Sequence, residues 1–393
     1  METPENAFSP VVATLNTLAA ATLWGTILGP VLYPIGASLG LWHELLRVAS
    51  SCGDDPVDFT VAKLGAAAGA IVGLVLVAGQ WRYGRGRAFG AVAADLMRFY
   101  LALVLFGYGL SKVTATQFPH LWANLDTPPS ELTPMRVAWQ FFGYSRGYQQ
   151  FLGWGEIVPA LLLLPRRTAS LGALLAVVVM ANVFAINLFF DVCVKLGSGR
   201  YLAYSLFILL QETGRLWHFF IGQRPLRPRR VATDWFLTRR GRRIYRSLTG
   251  ALVALAVVGG VLSVQEARSY GRTQRDTPLT GIWQPRRVER WQAGQWQLVP
   301  PADSAFPAKV YLQAGQVVLR NSFRRDRFIA AKEDSVQHTL LLRPLNLHND
   351  RNLPLLHWRF AHLQPGDSIQ LSGRWRRDSL RLVATRGQLN EVR

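Results

Sequence analysis

The chain has 393 residues, a formal net charge of +20 and a pI near 10.9. In a soluble protein those values point to nucleic acid. Here 50% of the residues are hydrophobic and only 17% are charged, which fits membrane burial and excludes a soluble nucleic-acid binder; no recognition helix or zinc-finger pattern accompanies the charge.

The first ten residues, Met1–Pro10, are acidic and lack a basic stretch ahead of an apolar one, so they do not read as a cleaved signal peptide. Seven hydrophobic segments follow: Val11–Leu39, Val61–Gln80, Ala94–Thr114, Phe151–Leu164, Thr168–Phe190, Tyr201–Ile221 and Leu248–Val264. Their length and composition suit bilayer spans. The fourth extends naturally upstream to Tyr148 or Tyr144. The sixth is interrupted by Gln211, Glu212 and Arg215, and reads as a span to about Leu210 followed by an interfacial helix through Trp217, His218 and Phe220.

The loop charges set an orientation. Arg82, Arg85 and Arg87 follow the second span, Arg166 and Arg167 the fourth, and the arginine-rich stretch Arg224–Arg246 the sixth. With seven spans these loops share one side, and the positive-inside bias makes that side cytoplasmic. Loop one carries Asp54, Asp55 and Asp58 instead. The expected location is a bacterial inner (plasma) membrane, with the N-terminus cytoplasmic and the C-terminal domain extracytoplasmic. Failure of the sixth segment to span would invert the last of these.

From about Gln265 period-two runs replace the apolar blocks: Lys309–Gln313, Gln316–Arg324, Gln337–Arg343, Leu355–Leu363, Ser368–Arg374 and Leu380–Thr385. Gly and Asp mark the turns between them, as in Pro365-Gly366-Asp367. The pattern predicts an antiparallel barrel or sandwich. The fold class is therefore a mainly α transmembrane bundle of about seven spans plus an all-β C-terminal domain. The expected division is two helices in 1–93, a four-helix core in 94–222, a basic linker in 223–247, a last span in 248–264 and the β domain in 265–393.

Polar groups inside a bilayer are expensive and default to functional candidates. Arg98 and Lys112 lie at opposite ends of the third span, with Tyr108 one turn before Lys112. Both cations can snorkel to an interface, and for Arg98 anchoring is the expected role. Tyr144, Tyr148 and Glu156 are spaced to share one stripe of a helix, with Gly153 and Gly155 beside the carboxylate. Glu156 is either a ligand-orienting, proton-exchanging group or a carboxylate packed against Arg98, Asn182 or a hydroxyl. Asn187, Asp191 and Lys195 follow Asn182 at i, i+4, i+8 spacing and align if their helix continues. Lys112, Tyr144, Tyr148, Glu156, Asn187, Asp191 and Lys195 are expected to line one pocket opening outward. Cys52 and Cys193 both fall on the outer side and form either one structural bridge or two unpaired thiols. His357 and His362 sit on opposite faces of one strand, which disfavours a metal site.

The segment from about Asp95 to Leu210 resembles the DoxX-like integral membrane proteins. The match is carried by Arg98-Phe99-Tyr100, Tyr108-Gly109 with Lys112, Gln117-Phe118-Pro119, Trp139, Gly143-Tyr144-Ser145, Tyr148, Phe151, Gly153, Glu156 and the run from Asn182 through Asn187 to Asp191 and Ser198. The resemblance implies a compact four-helix membrane core, with some relatives linked to quinone-coupled oxidation of sulfur compounds. Leu279-Thr280-Gly281-Ile282-Trp283 resembles the first strand of lipocalin-like barrels, where a Gly-x-Trp closes one end; such a domain is a filled structural barrel or holds a small apolar ligand.

Two functions are then expected. The first is a redox-associated membrane component that binds quinone or another lipophilic small molecule, with a partner subunit supplying electrons. The second is a non-enzymatic transporter or scaffold whose β domain binds a partner or envelope lipid. Membrane lipids are the neighbours of the basic stretch in either case.

Overall fold

The computed structural model of the chain describes residues 10–38, 54, 56–83, 89–118, 121–211 save 166, isolated residues between 213 and 265, and 279–388 apart from several connecting stretches. Its α-helices are α1 (Pro10–Ser38), α2 (Pro56–Tyr83), α3 (Phe89–Val113), α4 (Trp122–Leu125), α5 (Pro134–Tyr144), α6 (Arg146–Leu163), α7 (Ala169–Phe189) and α8 (Lys195–Leu210). Three of them begin with proline, whose fixed φ and missing N–H suit the first helical position. Two compact units result. One comprises Met1–Gln117 with Arg146–Ser263, the other Phe118–Ser145 with Val264–Arg393.

The helical unit is built on α3, which packs against α1, α6 and α8, while α7 joins α6 to α8 and α2 leans on α1. The α1–α2 contact is made by small residues. A Cβ on Gly25, Gly65 or Gly69 would strike backbone of the facing helix, which is how helices approach closely without a water-driven core. Apolar side chains such as Val11, Leu64, Ile71 and Val75 project outward from the same pair. Four helices, over Val11–Tyr33, Pro56–Arg82, Ala93–Val113 and Ala169–Phe189, are long and apolar enough to cross a membrane. α6 and α8 are shorter, at 18 and 16 residues.

α8 stops at Leu210, and Gln211 is held there by reciprocal amide bonds with Asn16 of α1, at 3.0 and 2.8 Å. Of the expected continuation, Trp217 is helical, and His218 and Phe220 lie outside the described residues. Every described residue from Arg239 to Gln265 is helical, including Arg239, Arg240 and Arg243 of the expected basic linker. Residues 223–238, 241–242 and 244–246 of that linker lie outside the described residues, as do Cys52 and Met1–Ser9.

Two expected alignments fail for local reasons. Ser145 takes an extended conformation between α5 and α6, so Tyr144 ends one helix and Tyr148 and Glu156 belong to the next. α7 ends at Phe189, and Asp191 has φ of 51°, so Asn187, Asp191 and Lys195 do not share a continuous helix.

Among the described residues the second unit holds nine strands: β1 (Gly281–Gln292), β2 (Gln295–Leu298), β3 (Pro307–Gln313), β4 (Gln316–Asn321), β5 (Asp326–Asp334), β6 (Thr339–Pro344), β7 (Leu356–Gln364), β8 (Ser368–Trp375) and β9 (Asp378–Arg386). All neighbours pair antiparallel in the order β2-β1-β3-β4-β5-β6-β7-β8-β9, and β1 also pairs with β9, so the sheet returns on itself. That favours the barrel over the sandwich. β1 serves three neighbours because it is long and bulged between Pro285 and Arg287: its first residues meet β3, its middle β9 and its last β2. The interior is filled by Trp283, Val288, Val310, Leu342, Trp358, Ile369 and Leu371 among others. Trp283 is fully buried, donates its indole N–H to the Leu279 carbonyl at 2.8 Å and lies under the Arg386 guanidinium. Trp358 faces Gly373 across β7 and β8, where any Cβ would collide with the indole.

Candidate functional site

α3 and α6 run antiparallel and touch at two glycines. A Cβ on Gly109 would lie 2.7 Å from the Gly153 carbonyl oxygen, and one on Gly153 would lie 2.5 Å from that of Gly109. Helical side chains lean toward the N-terminus of their own helix. Lys112 on α3 and Glu156 on α6 therefore lean toward each other across the glycine crossing. The Lys112 Nζ donates to both Glu156 oxygens, at 2.8 Å each. Both side chains are buried, 8% and 3% exposed. The partner of Glu156 is thus Lys112, rather than Arg98 or Asn182, and Lys112 is not snorkelling. Mutual neutralisation offsets part of the desolvation penalty each charge would meet alone.

The lysine ammonium also lies 5.7 Å from the Tyr108 ring centre. From there a tyrosine series crosses to α8: Tyr108 to Tyr201 at 6.2 Å, Tyr201 to Tyr204 at 6.2 Å and Tyr204 to Tyr100 at 6.0 Å between ring centres. Tyr204 shares a 2.7 Å hydrogen bond with the Thr26 hydroxyl of α1. Lys112, Tyr108 and Glu156 therefore come together, joined by tyrosines that sequence reasoning passed over.

Arg98 has a different role from the expected anchor. It is buried, packs on the Phe99 ring, and donates to the carbonyls of Leu163 and Leu164 at the C-terminus of α6. Asp95 lies 3.6 Å from it one turn earlier. A cation at a helix C-terminus satisfies carbonyls that have no intrahelical donor. Arg98 thereby fixes the end of α6, as the glycine crossing fixes its middle.

The remaining candidates separate. Tyr144 is 83% exposed and belongs to the other unit. Asn182 and Asp191 are also exposed, Tyr148 stacks on Phe151, and Asn187 is buried on α7. Lys195 pairs with Asp191 at 2.8 Å and with Asp54 at 3.6 Å. The Asp54 carboxylate also accepts the backbone N–H groups of Lys195 and Leu196, both at 2.9 Å, closing the start of α8 with an anion. Cys193 in the same turn is disulfide-bonded, and the chain contains one other cysteine, Cys52. These groups staple loop one to the α7–α8 turn.

A second polar centre lies in the β unit. The Asp126 carboxylate, fully buried, accepts from Lys309 Nζ at 2.7 Å and from the Tyr311 hydroxyl at 2.5 Å. Arg320 donates to the carbonyls of Asp126 and Ala123 and to the Thr127 hydroxyl. The Trp122 N–H donates to Gln313 Oε1 at 2.7 Å. The segment after α3 is thus part of the barrel's outer layer. Nothing in the local spacing around Asp126 announced this, because its partners lie on β3 and β4.

Over 134 residues the chain is 36% identical to the uncharacterized protein YwoB of Bacillus subtilis (strain 168), a match covering 34% of this chain and 85% of that protein. The chain belongs to the YwoB family. No family model matches it, and no solved structure matches it. The larger part of this YwoB-family chain lies outside the match, so it carries substantial sequence beyond what it shares with the shorter protein.

Proposed function

We propose that this chain is a seven-span inner-membrane protein with a DoxX-like core, and that it acts as a redox-associated component binding quinone or another lipophilic small molecule beside the Lys112–Glu156 pair. The observation that carries the reading is that bidentate pair, buried at a glycine crossing and flanked by the half-exposed Tyr108. An arriving carbonyl oxygen competes with Glu156 for the Lys112 ammonium. Lys112 then donates to the ligand, and Glu156, deprived of its counter-ion, takes up a proton. Reduction of a quinone to a quinol needs two protons and two electrons; the pair handles protons, and a redox partner subunit supplies the electrons.

The orientation belongs to the same reading. Phe118–Ser145 shares a unit with the C-terminal domain, which supports placing both on one side with an even number of crossings between them; in this reading those are α6, α7, α8 and a span through the helical residues described between Arg239 and Gln265. The basic residues at Arg82, Arg167 and Arg239–Arg240 are then cytoplasmic, and the β domain extracytoplasmic. The test is quinone extracted from the purified protein and from Glu156→Gln. Absence of quinone from the wild type, together with unchanged membrane redox phenotypes in the variant, ends the proposal.

A scaffold or transporter is the second reading. It draws on the barrel interior, filled by tryptophans and aliphatic side chains, which suits a rigid recognition body better than a ligand cup. Pull-down and uptake assays with and without the residues after Val264 separate the two: if the deletion changes neither, the scaffold reading is lost.

A further inference from the structure

Arg200 is a charged residue in the helical unit that the pair described above does not use. It lies on α8, five residues after the helix begins at Lys195. At the rise of an α-helix that is about 7.5 Å along the axis; on the seven-span reading, in which α8 starts at the outer surface, this is the depth at which headgroups give way to acyl chains. Its Nη1 donates to the Thr26 carbonyl at 3.2 Å. That carbonyl is open because the residue four positions on is Pro30, which has no N–H to offer it.

One bond leaves most of the guanidinium's five donors uncommitted. Nε is buried with no acceptor, and among the described residues no carboxylate forms an ion pair with Arg200. The carboxylates near the same end of the bundle are taken: Glu156 by Lys112, Asp191 by Lys195, and Asp54 by Lys195 and the α8 N-terminus. Thr26, whose carbonyl takes the Arg200 bond, also holds the Tyr204 hydroxyl, and the guanidinium acts electrostatically on the hydroxyls of Tyr100, Tyr108, Tyr201 and Tyr204. The Tyr204 hydroxyl is engaged with Thr26, while Tyr108 is half-exposed on the flank of the bundle.

A guanidinium without a counter-anion, with unused donors and with phenol hydroxyls in its field, is chemistry for an oxyanion. On the seven-span reading the acyl chains beside α8 add a second requirement, a hydrocarbon tail. We propose that Arg200 and its tyrosines form a binding site for the phosphate or carboxylate head of an anionic amphiphile. The head accepts from the guanidinium edge and draws the Tyr201 and Tyr108 hydroxyls out of the hydrogen-bonded series they form with Tyr100, and the tail runs along the outer face of α3 and α8. This site borders the quinone site at Tyr108 but uses neither Lys112 nor Glu156, so Glu156→Gln separates the two readings.

The test is thermal unfolding of the full chain purified in an uncharged detergent. Dodecanoate and dodecyl phosphate are each compared with dodecanol and with inorganic phosphate. Both anionic amphiphiles should raise the midpoint by about 2–4 °C near saturation, and neither control should. Arg200→Gln should abolish the rise, Tyr201→Phe should at least halve it, and Glu156→Gln should keep it. Pre-incorporation into bilayer discs containing phosphatidylglycerol should remove the response if the source is a membrane phospholipid; discs of phosphatidylcholine alone should leave it, and a free amphiphile is then the source if both disc types respond. The proposal is overturned if dodecanol or inorganic phosphate gives the same rise as dodecanoate, or if Arg200→Gln retains it. Should Arg200→Gln not fold, an undiminished rise in Tyr201→Phe overturns it equally.

Discussion

The Asp126 carboxylate and the Lys309 ammonium meet at 2.7 Å although 183 positions separate them. Four elements of the helical unit's chain intervene, yet the carboxylate is fully buried with Tyr311 and Arg320 beside it. The contact joins the segment between α3 and α6 to a barrel formed at the end of the chain, and it makes that segment a structural part of the β unit.

Asp126→Ala leaves Lys309 and Arg320 facing a buried site without their anion. The expected loss is about 3–5 kcal/mol of stability in the β unit. Limited proteolysis should cut both the 118–145 segment and the barrel sooner in the variant. An isolated effect on the segment, with the barrel unchanged, would show that the two fold independently.

Glu156→Gln and Lys112→Met each strand one buried charge or polar partner, and each should lower stability by about 3–5 kcal/mol. The double variant Lys112→Met with Glu156→Leu should recover most of that loss, because no charge is left unpaired. Denaturant titration in detergent reads the cycle. Recovery of stability without recovery of quinone content would assign the pair to function rather than to packing.

Gly153→Leu should separate α3 from α6, since even a Cβ meets the Gly109 carbonyl and Val113. Overpacking of this kind costs about 1–3 kcal/mol or more. Gly155→Leu on the same helix is the control, as nothing lies within 4 Å of its Cβ direction. The thermal midpoint should fall for the first and stay level for the second.

Cys193→Ser removes the disulfide at the α7–α8 turn. Maleimide labelling of unreduced wild type should find no free thiol, whereas the variant should expose one at Cys52. Loss of such a bridge costs about 2–5 kcal/mol. Asp54→Ala should weaken the same junction by about 1–2 kcal/mol, as loss of a helix cap does, and should leave the labelling pattern unchanged.

Arg98 and Arg200 show why part of the site was hidden. Each supplies donors to carbonyls that a helix cannot satisfy itself, at the end of α6 and before Pro30 of α1. The need is visible in sequence, as a helix end or a proline four residues on. The supplier is not, because it arrives from a different helix. The stripe read through Tyr144, Tyr148 and Glu156 failed for the complementary reason: a single extended residue, Ser145, resets the helical phase.

What the sequence by itself determined is periodic and local. Apolar runs marked the long helices, alternation marked most of the strands from β3 onward, and Lys112 and Glu156 stood out as charges in apolar surroundings. Those properties depend on residues within a few turns of one another. The tertiary structure alone decided which charges meet: Lys112 with Glu156 across 44 positions, Arg98 with the end of α6 across 65, and Asp126 with Lys309 across 183. Pairing needs a crossing point, and the crossing is set by where two glycines allow backbones to touch or by which strand faces a loop, neither of which is a property of one segment.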